Sequence, residues 1–119
     1  MPAYDLCERT FAFSLSILQL WQKLNNTRGF PRALANQLLR AGTSVGANYR
    51  AACRSKSAAD FISKMGTVEE EADESAYWLE LLMDSGKVKP VQAQPLVREA
   101  NELLAIAVAS INTAKRKVR

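Results

Sequence analysis

Apolar residues recur every three or four positions along four stretches of this 119-residue chain, and turn residues separate the stretches. That spacing places the apolar side chains on one side of an α-helix, whereas the alternation typical of a half-buried strand is nearly absent. Four helices with short connections pack as an antiparallel up-down-up-down bundle. We therefore predict an all-α fold in which residues 1–119 form a single four-helix-bundle domain.

The first predicted helix, about residues 6–24, is apolar on two sides. At 100° per residue, Phe13, Ile17 and Leu20 fall on one side, and Phe11 and Leu15 fall on another. A helix that is apolar nearly all round needs burial on two sides. In a small bundle, a neighbouring subunit can cover the second side, so we expect a homo-oligomer.

The second predicted helix, from the turn at Pro31 to about Ala52, contains Gly42 and Gly46 one turn apart. Glycine inside a helix costs up to about 1 kcal/mol relative to alanine. The pair indicates either that another backbone packs closely there or that the helix bends.

The remaining two helices are predicted from their end signals. The third begins at the cap residue Ser57, runs to about Ser85 and ends at Gly86. The fourth starts between residues 91 and 96, with Pro95 in or before its first turn because proline removes a helical hydrogen bond.

The composition limits the chemistry. The chain has no histidine, so it lacks the usual general base and metal ligand. Its two cysteines, Cys7 and Cys53, do not make a disulfide framework, and we interpret them as small buried residues. No apolar run is long and unbroken enough to span a membrane. We expect a non-enzymatic protein without cofactor or metal, in a reducing cytoplasmic setting.

Charge is strongly segregated along the chain. Residues 23–64 contain eight basic residues and one acidic residue, whereas residues 65–84 contain seven acidic residues and no basic one. The net charge of +4 for the whole chain hides this division. Blocks of opposite sign predict docking between helices, between subunits or with a polyanion.

Four arginines of the second helix fall within about 80° of one another, and two lysines follow nearby. Guanidinium groups pair bidentately with phosphate, so this face is a candidate nucleic-acid-binding surface. The alternative is that it pairs with the acidic third helix of the same chain or of a neighbour. The candidate residues are Arg32, Arg40, Arg50, Arg54, Lys56 and Lys64.

The third helix carries clustered carboxylates, for which there are three interpretations: they bind a divalent ion, they pair with the arginines, or they form a solvated face. Bundles that bind two iron ions use Glu-x-x-His, which this chain lacks, so we favour the latter two alternatives. Trp21, Tyr77 and Trp78 are expected in the core, with interface anchoring as the alternative. The clustered acids are Glu69, Glu70, Asp73, Glu74, Glu80 and Asp84.

A specific pattern extends through the middle of the chain, in the segments Phe30-Pro31, Gln37–Ala41, Ser44–Ala51, Asp60–Lys64, Glu69–Glu74 and Tyr77–Leu82. In these segments the chain resembles the four-helix-bundle family of the 23S rRNA intervening-sequence proteins. More distantly, it resembles the accessory proteins of diversity-generating retroelements. Another branch of the family has Asn-Ile-Ala-Glu-Gly where this chain has Asn48-Tyr49-Arg50-Ala51-Ala52, so the glutamate and glycine of that branch have no counterpart here.

The resemblance implies a helical bundle, often a homopentamer with a central passage, and no known catalysis. The retroelement accessory proteins bind a reverse transcriptase and nucleic acid through basic surfaces, so the resemblance implies RNA or DNA and such a protein as partners. We predict an oligomeric binding module that contacts nucleic acid or a nucleoprotein through its basic helix face. The alternative is a purely structural homo-oligomeric scaffold whose basic and acidic faces pair with each other.

Overall fold

The computed structural model describes residues 6–118, and within this range it contains four α-helices and no strand. Each helix packs against the next one in the chain, and α1 also contacts α4 in the smallest of the four interfaces. The Cα atoms occupy an elongated volume of 53 × 21 × 21 Å. The predicted all-α four-helix bundle is therefore confirmed. Its helices are α1 (Leu6–Asn25), α2 (Arg32–Cys53), α3 (Ala58–Asp84) and α4 (Pro90–Lys117).

The core lies between the four helices and follows the predicted apolar stripes. Large side chains from every helix are almost fully excluded from solvent, as Ile17, Leu38, Leu79 and Leu103 show. Within residues 6–118, α1 and α3 do not contact each other, so they lie diagonally across this core. No helix in the same range is long and apolar enough to cross a membrane.

The helix ends mostly follow the predicted signals. Ser57 caps α3, because its Oγ accepts the backbone N–H of Asp60 at 3.0 Å. Gly86 ends α3 with a φ of +79°, and the Lys87 N–H bonds back to the Leu82 carbonyl at 2.9 Å. This arrangement is a Schellman motif, in which a left-handed glycine closes the last turn.

The predicted position of Pro95 is wrong. The fourth helix begins at Pro90, so Pro95 lies in its second turn rather than in or before its first. Pro90 supplies a favourable start, because proline at the first helical position loses no hydrogen bond. Pro95 removes one N–H that would bond to the carbonyl of Val91, a residue whose side chain is 78% exposed. The loss falls near the solvated end of the helix.

The packing of α1 on α2 depends on the two glycines. A Cβ added at Gly42 would lie 2.6 Å from Cγ1 of buried Ile17, and one at Gly46 would lie 3.2 Å from the backbone oxygen of Thr10. In addition, the Ser14 hydroxyl donates to the Gly42 carbonyl at 2.9 Å. Of the two interpretations of this glycine pair, close packing is the one confirmed.

The smaller α1–α4 contact is joined by ion pairs. The Arg9 guanidinium donates to both carboxylate oxygens of Glu99, at 2.7 and 2.8 Å, and also to Glu102. These hydrogen bonds raise the pKa of Arg9, which stays charged at any physiological pH. A bidentate arginine–carboxylate pair also fixes geometry, so it orients α1 relative to α4.

We predict that Gly42→Ala destabilises the protein, because the new methyl group collides with the stiff, β-branched stem of Ile17. Overpacking of a close-packed core costs about 1–3 kcal/mol, and the gain in helix propensity offsets part of this. Denaturant unfolding followed by helical circular dichroism measures the change in the free energy of unfolding.

The matched control is Gly66→Ala in α3, where no atom lies within 4 Å of the added Cβ. Helix propensity alone acts there, so we expect stabilisation of up to about 1 kcal/mol. Two variants that shift stability in the same direction would contradict the role assigned to Gly42.

Candidate nucleic-acid interface

Two of the six predicted nucleic-acid-binding residues form ion pairs within the chain. Arg40 donates to both carboxylate oxygens of Glu71, at 3.2 and 3.3 Å, and also to Glu74. Lys64 donates to the Asp60 carboxylate, one turn away, at 2.7 Å. Arg40 therefore has the alternative arrangement, in which a basic residue of α2 pairs with the acidic third helix. Lys64 pairs within α3 itself, and both ion pairs are partly exposed to solvent.

The ion pair between Arg40 and Glu74 shifts the pKa of both residues. The pKa of Glu74 is lowered, first by a hydrogen bond from the Trp78 indole N–H at 3.0 Å and then by Arg40. The pKa of Arg40 is raised, chiefly by its hydrogen bond to Glu74. Both groups stay charged near neutral pH, so Arg40 links α2 to α3 and its guanidinium is already occupied.

Arg32 is exposed but stands apart from the other candidates. It is the first residue of α2, whereas Arg50 lies near the end of the same helix. At 1.5 Å per residue, about 27 Å of helix separates them. Sharing one helix face therefore does not bring Arg32 into the same local surface.

Arg50, Arg54 and Lys56 are exposed, and no ion pair within residues 6–118 involves them. They lie at the end of the bundle where α2 leads into α3. The C-terminus of α4 lies at the same end, as shown by a cavity of about 570 Å³ that both Ala58 and Lys117 line. We call this cluster the basic end, and its members are Arg50, Arg54, Lys56, Lys115, Arg116 and Lys117.

The last three members of the basic end are not among the predicted site residues. Their signal in the sequence is a run of basic residues in the final turn of α4, and positive charge there also suits the negative end of the helix dipole. Acidic groups are few at this end of the described chain. Asp60 is held by Lys64, which lowers its pKa, and Glu8 lies in the first turn of α1.

An apolar surface borders the basic end along the groove between α1 and α2. Phe11 and Leu15 are 59% and 44% exposed, so the second apolar side of α1 lies outside the core of this chain. Next to them, a cavity of about 400 Å³ is lined by Phe11, Thr43, Ala47 and Arg50, among others. We call Phe11, Leu15 and Ala47 the α1–α2 apolar patch.

A second exposed apolar patch lies on α3 among the carboxylates. Tyr77 and Leu81 are 56% and 38% exposed, which corrects the expectation that Tyr77 lies in the core. The ring of Trp78 meets that of Tyr77 edge to face at 5.0 Å and is half-buried. Exposed acids surround this α3 patch: Glu70, Asp73, Glu80 and Asp84. Across residues 6–118, no three histidine, cysteine or acidic side chains form a group that could hold a metal ion.

The expectation that the two cysteines are buried is wrong. Cys7 and Cys53 are both exposed, and their Sγ atoms lie 3.9 Å apart. Cys7 belongs to the first turn of α1, and Cys53 is the last residue of α2 and follows buried Ala52. Residue type alone suggested burial, but it does not say which side of a helix faces the core: Ala52 is 1% exposed, whereas the next residue, Cys53, is exposed.

Comparison with known proteins agrees with this architecture. A crystal structure at 1.70 Å of a protein of unknown function from the S23 ribosomal protein family of Bacteroides thetaiotaomicron superposes with a TM-score of 0.83. The two sequences are 32% identical, over 88% of this chain and 96% of that one. Among curated proteins, none matches the chain.

The match to a sequence family extends over most of the bundle. Residues 3–109 match the 23S rRNA-intervening sequence proteins. The matched range includes all four helices except the last turns of α4. The expected distant relation to retroelement accessory proteins stays a prediction. The chain belongs to the family of the 23S rRNA-intervening sequence proteins.

Proposed function

We propose that this protein is a non-enzymatic, homo-oligomeric helical bundle that binds RNA or DNA through its basic end. The observation that carries the proposal is that some of the candidate basic residues form ion pairs within the chain and others do not. Arg40 and Lys64 are engaged by carboxylates, whereas Arg50, Arg54 and Lys56 have no ion pair in the described part of the chain and lie at the end reached by the α4 C-terminus.

The chemistry of the basic end suits a phosphate backbone. Exposed guanidinium and ammonium groups contact phosphates without reading base edges, so binding is expected to be largely independent of sequence. Three arginines supply forks that pair bidentately with phosphate oxygens. A reverse transcriptase, the protein partner implied by the resemblance to retroelement accessory proteins, would reach this surface together with its nucleic acid.

Oligomerisation is supported by two complementary surfaces. The α1–α2 apolar patch adjoins the exposed, positively charged Arg50. The α3 patch at Tyr77 and Leu81 is surrounded by negatively charged residues. Because α1 and α3 do not contact each other in the described part of the chain, Phe11 and Leu15 do not meet Tyr77 and Leu81 within one chain. Copies that associate head to tail would bring them together, and a rotation that closes makes a ring such as the expected homopentamer.

Assembly in a ring would strengthen binding to a polyanion. Rotation about an axis along the bundles would present every basic end on one face of the assembly. Repeated weak contacts then act together, because each contact after the first is intramolecular. The two cysteines in a chain of this size also fit the reducing, cytoplasmic setting that forms part of this proposal.

A purely structural scaffold is the second candidate, and the Arg40 ion pairs to Glu71 and Glu74 are the observation that favours it. They show that a basic residue of α2 can be satisfied by the acidic helix. If neighbouring subunits satisfy Arg50 and Arg54 in the same way, the protein assembles but retains no affinity for nucleic acid.

For assembly, we predict that the double variant Phe11→Glu, Leu15→Glu dissociates the oligomer, because charge cannot be buried against the α3 patch of a neighbour. Light scattering at micromolar concentration should give several times 13.2 kDa for the wild type and 13.2 kDa for the variant. Val91→Glu is the matched control, since Val91 is 78% exposed and belongs to neither patch. A monomeric wild type would refute the proposed assembly.

For binding, we predict that Arg54→Glu, Lys56→Glu weakens affinity for an RNA duplex measured by fluorescence anisotropy. The slope of log affinity against log salt concentration is negative, and each cation that no longer neutralises a phosphate makes it shallower by about 0.9, so two lost contacts should make it shallower by about 1.8. The control Lys87→Glu, Lys89→Glu makes the same charge change at the opposite end of the bundle and should keep most of the affinity.

Two outcomes of the binding experiment would contradict the proposal. Equal losses in both double variants would mean that net charge, not the basic end, governs binding. Wild-type protein that is oligomeric yet does not bind at low salt would leave the scaffold as the function.

A further inference from the structure

The two cysteines form a pair that no step of the proposed function uses. Cys7 and Cys53 are 46 positions apart in sequence, but their Sγ atoms are 3.9 Å apart and both residues are exposed. The segment between them consists of α1, the turn and α2, which together form a helical hairpin. The turn joins one end of this hairpin, and the cysteine pair lies across its other end.

Packing elsewhere in the hairpin fixes this proximity. The contacts of Ile17 with Gly42 and of Thr10 with Gly46 hold the two helices in one register. The same register brings Cys7 beside Cys53. Since the cysteines occur in the first turn of α1 and at the last residue of α2, small backbone adjustments at helix ends can bring the sulfur atoms to bonding distance.

The surroundings provide a hydrogen bond and positive charge. Burial raises the pKa of Tyr49, and a hydrogen bond with Cys53 raises it further, so the phenol stays protonated beside the sulfur atom. Arg54 follows Cys53 in the chain, and Arg50 lines the same cavity as Cys7. Such cations attract an anionic oxidant such as glutathione disulfide.

From this geometry we infer that Cys7 and Cys53 are a thiol–disulfide site, oxidised reversibly by a low-molecular-weight disulfide. One cysteine thiolate attacks the glutathione disulfide and releases one glutathione, which leaves a mixed disulfide on the protein. The second cysteine then attacks the protein sulfur of that bond and releases a second glutathione. The protein loses two protons and two electrons, and the two released glutathione molecules take up these protons and electrons.

The bond would fasten the open end of the α1–α2 hairpin. It would close a loop that contains both helices, which removes conformations from the unfolded chain and therefore raises stability. It would also hold the first turn of α1 against Arg50 and Arg54. The thiol chemistry does not depend on nucleic-acid binding, so its test stands apart from that of the proposed function.

To test the inference, we would incubate the full chain with excess glutathione disulfide, quench the thiols with an alkylating agent, and measure intact mass and digested peptides. The expected product has lost two hydrogen atoms and yields a peptide pair that joins Cys7 to Cys53. Its melting temperature should exceed that of the reduced protein by roughly 5–15 °C, and a dithiol reductant should reverse the change.

Cys7→Ser and Cys53→Ser are the matched controls, and both positions are exposed, so the variants are expected to fold. Under the same conditions each variant should carry one glutathione adduct and show no rise of that size in melting temperature. Wild-type protein that keeps both thiols, carries two stable adducts, or links only to other copies of the chain would overturn the inference.

Discussion

The close approach of α1 to α2 is the contact on which much of this structure depends. It depends on glycine at position 42, because a methyl group there would overlap Ile17, and it is also tight at Gly46, where a methyl group would lie 3.2 Å from the Thr10 carbonyl oxygen. With α1 held against α2 in this register, the apolar side that carries Phe13 enters the core and the side that carries Phe11 is left outside. One packing constraint thus sets the exposed apolar patch and brings together the ends of the two helices.

The elements that the sequence predicts well are those governed by local rules. Helical periodicity, the Ser57 cap and the left-handed Gly86 each depend on residues within a few positions of one another, and all three are present in the structure. The position of Pro95 is mispredicted because the helix start at Pro90 is favourable enough to outweigh one missing hydrogen bond further on. The sequence shows both prolines, but not which of the two effects is larger.

The candidate site is only partly predictable, because the fate of a charge depends on what faces it across the bundle. Arg40 and Arg50 lie on one face of α2, yet Arg40 reaches Glu71 and Glu74 while Arg50 meets no carboxylate in the described chain. Helix angle cannot separate these cases, since the register of α3 along α2 decides them. The contribution of Lys117 to the basic end likewise depends on where α4 ends beside α3.

The unequal interfaces of the bundle also bear on how it folds. Within residues 6–118, extensive contacts join helices that follow one another in the chain, and the smallest of the four interfaces is between α1 and α4, the most distant pair in sequence. Each successive helix can therefore dock on its predecessor without closing a long loop. Among the described residues, the α1–α4 interface, which includes the Arg9–Glu99 pair, is the one that joins helices distant in sequence. Domains built mainly from contacts close in sequence cross a lower entropic barrier, so we expect this chain to fold fast and its α1–α4 contact to form after the other three.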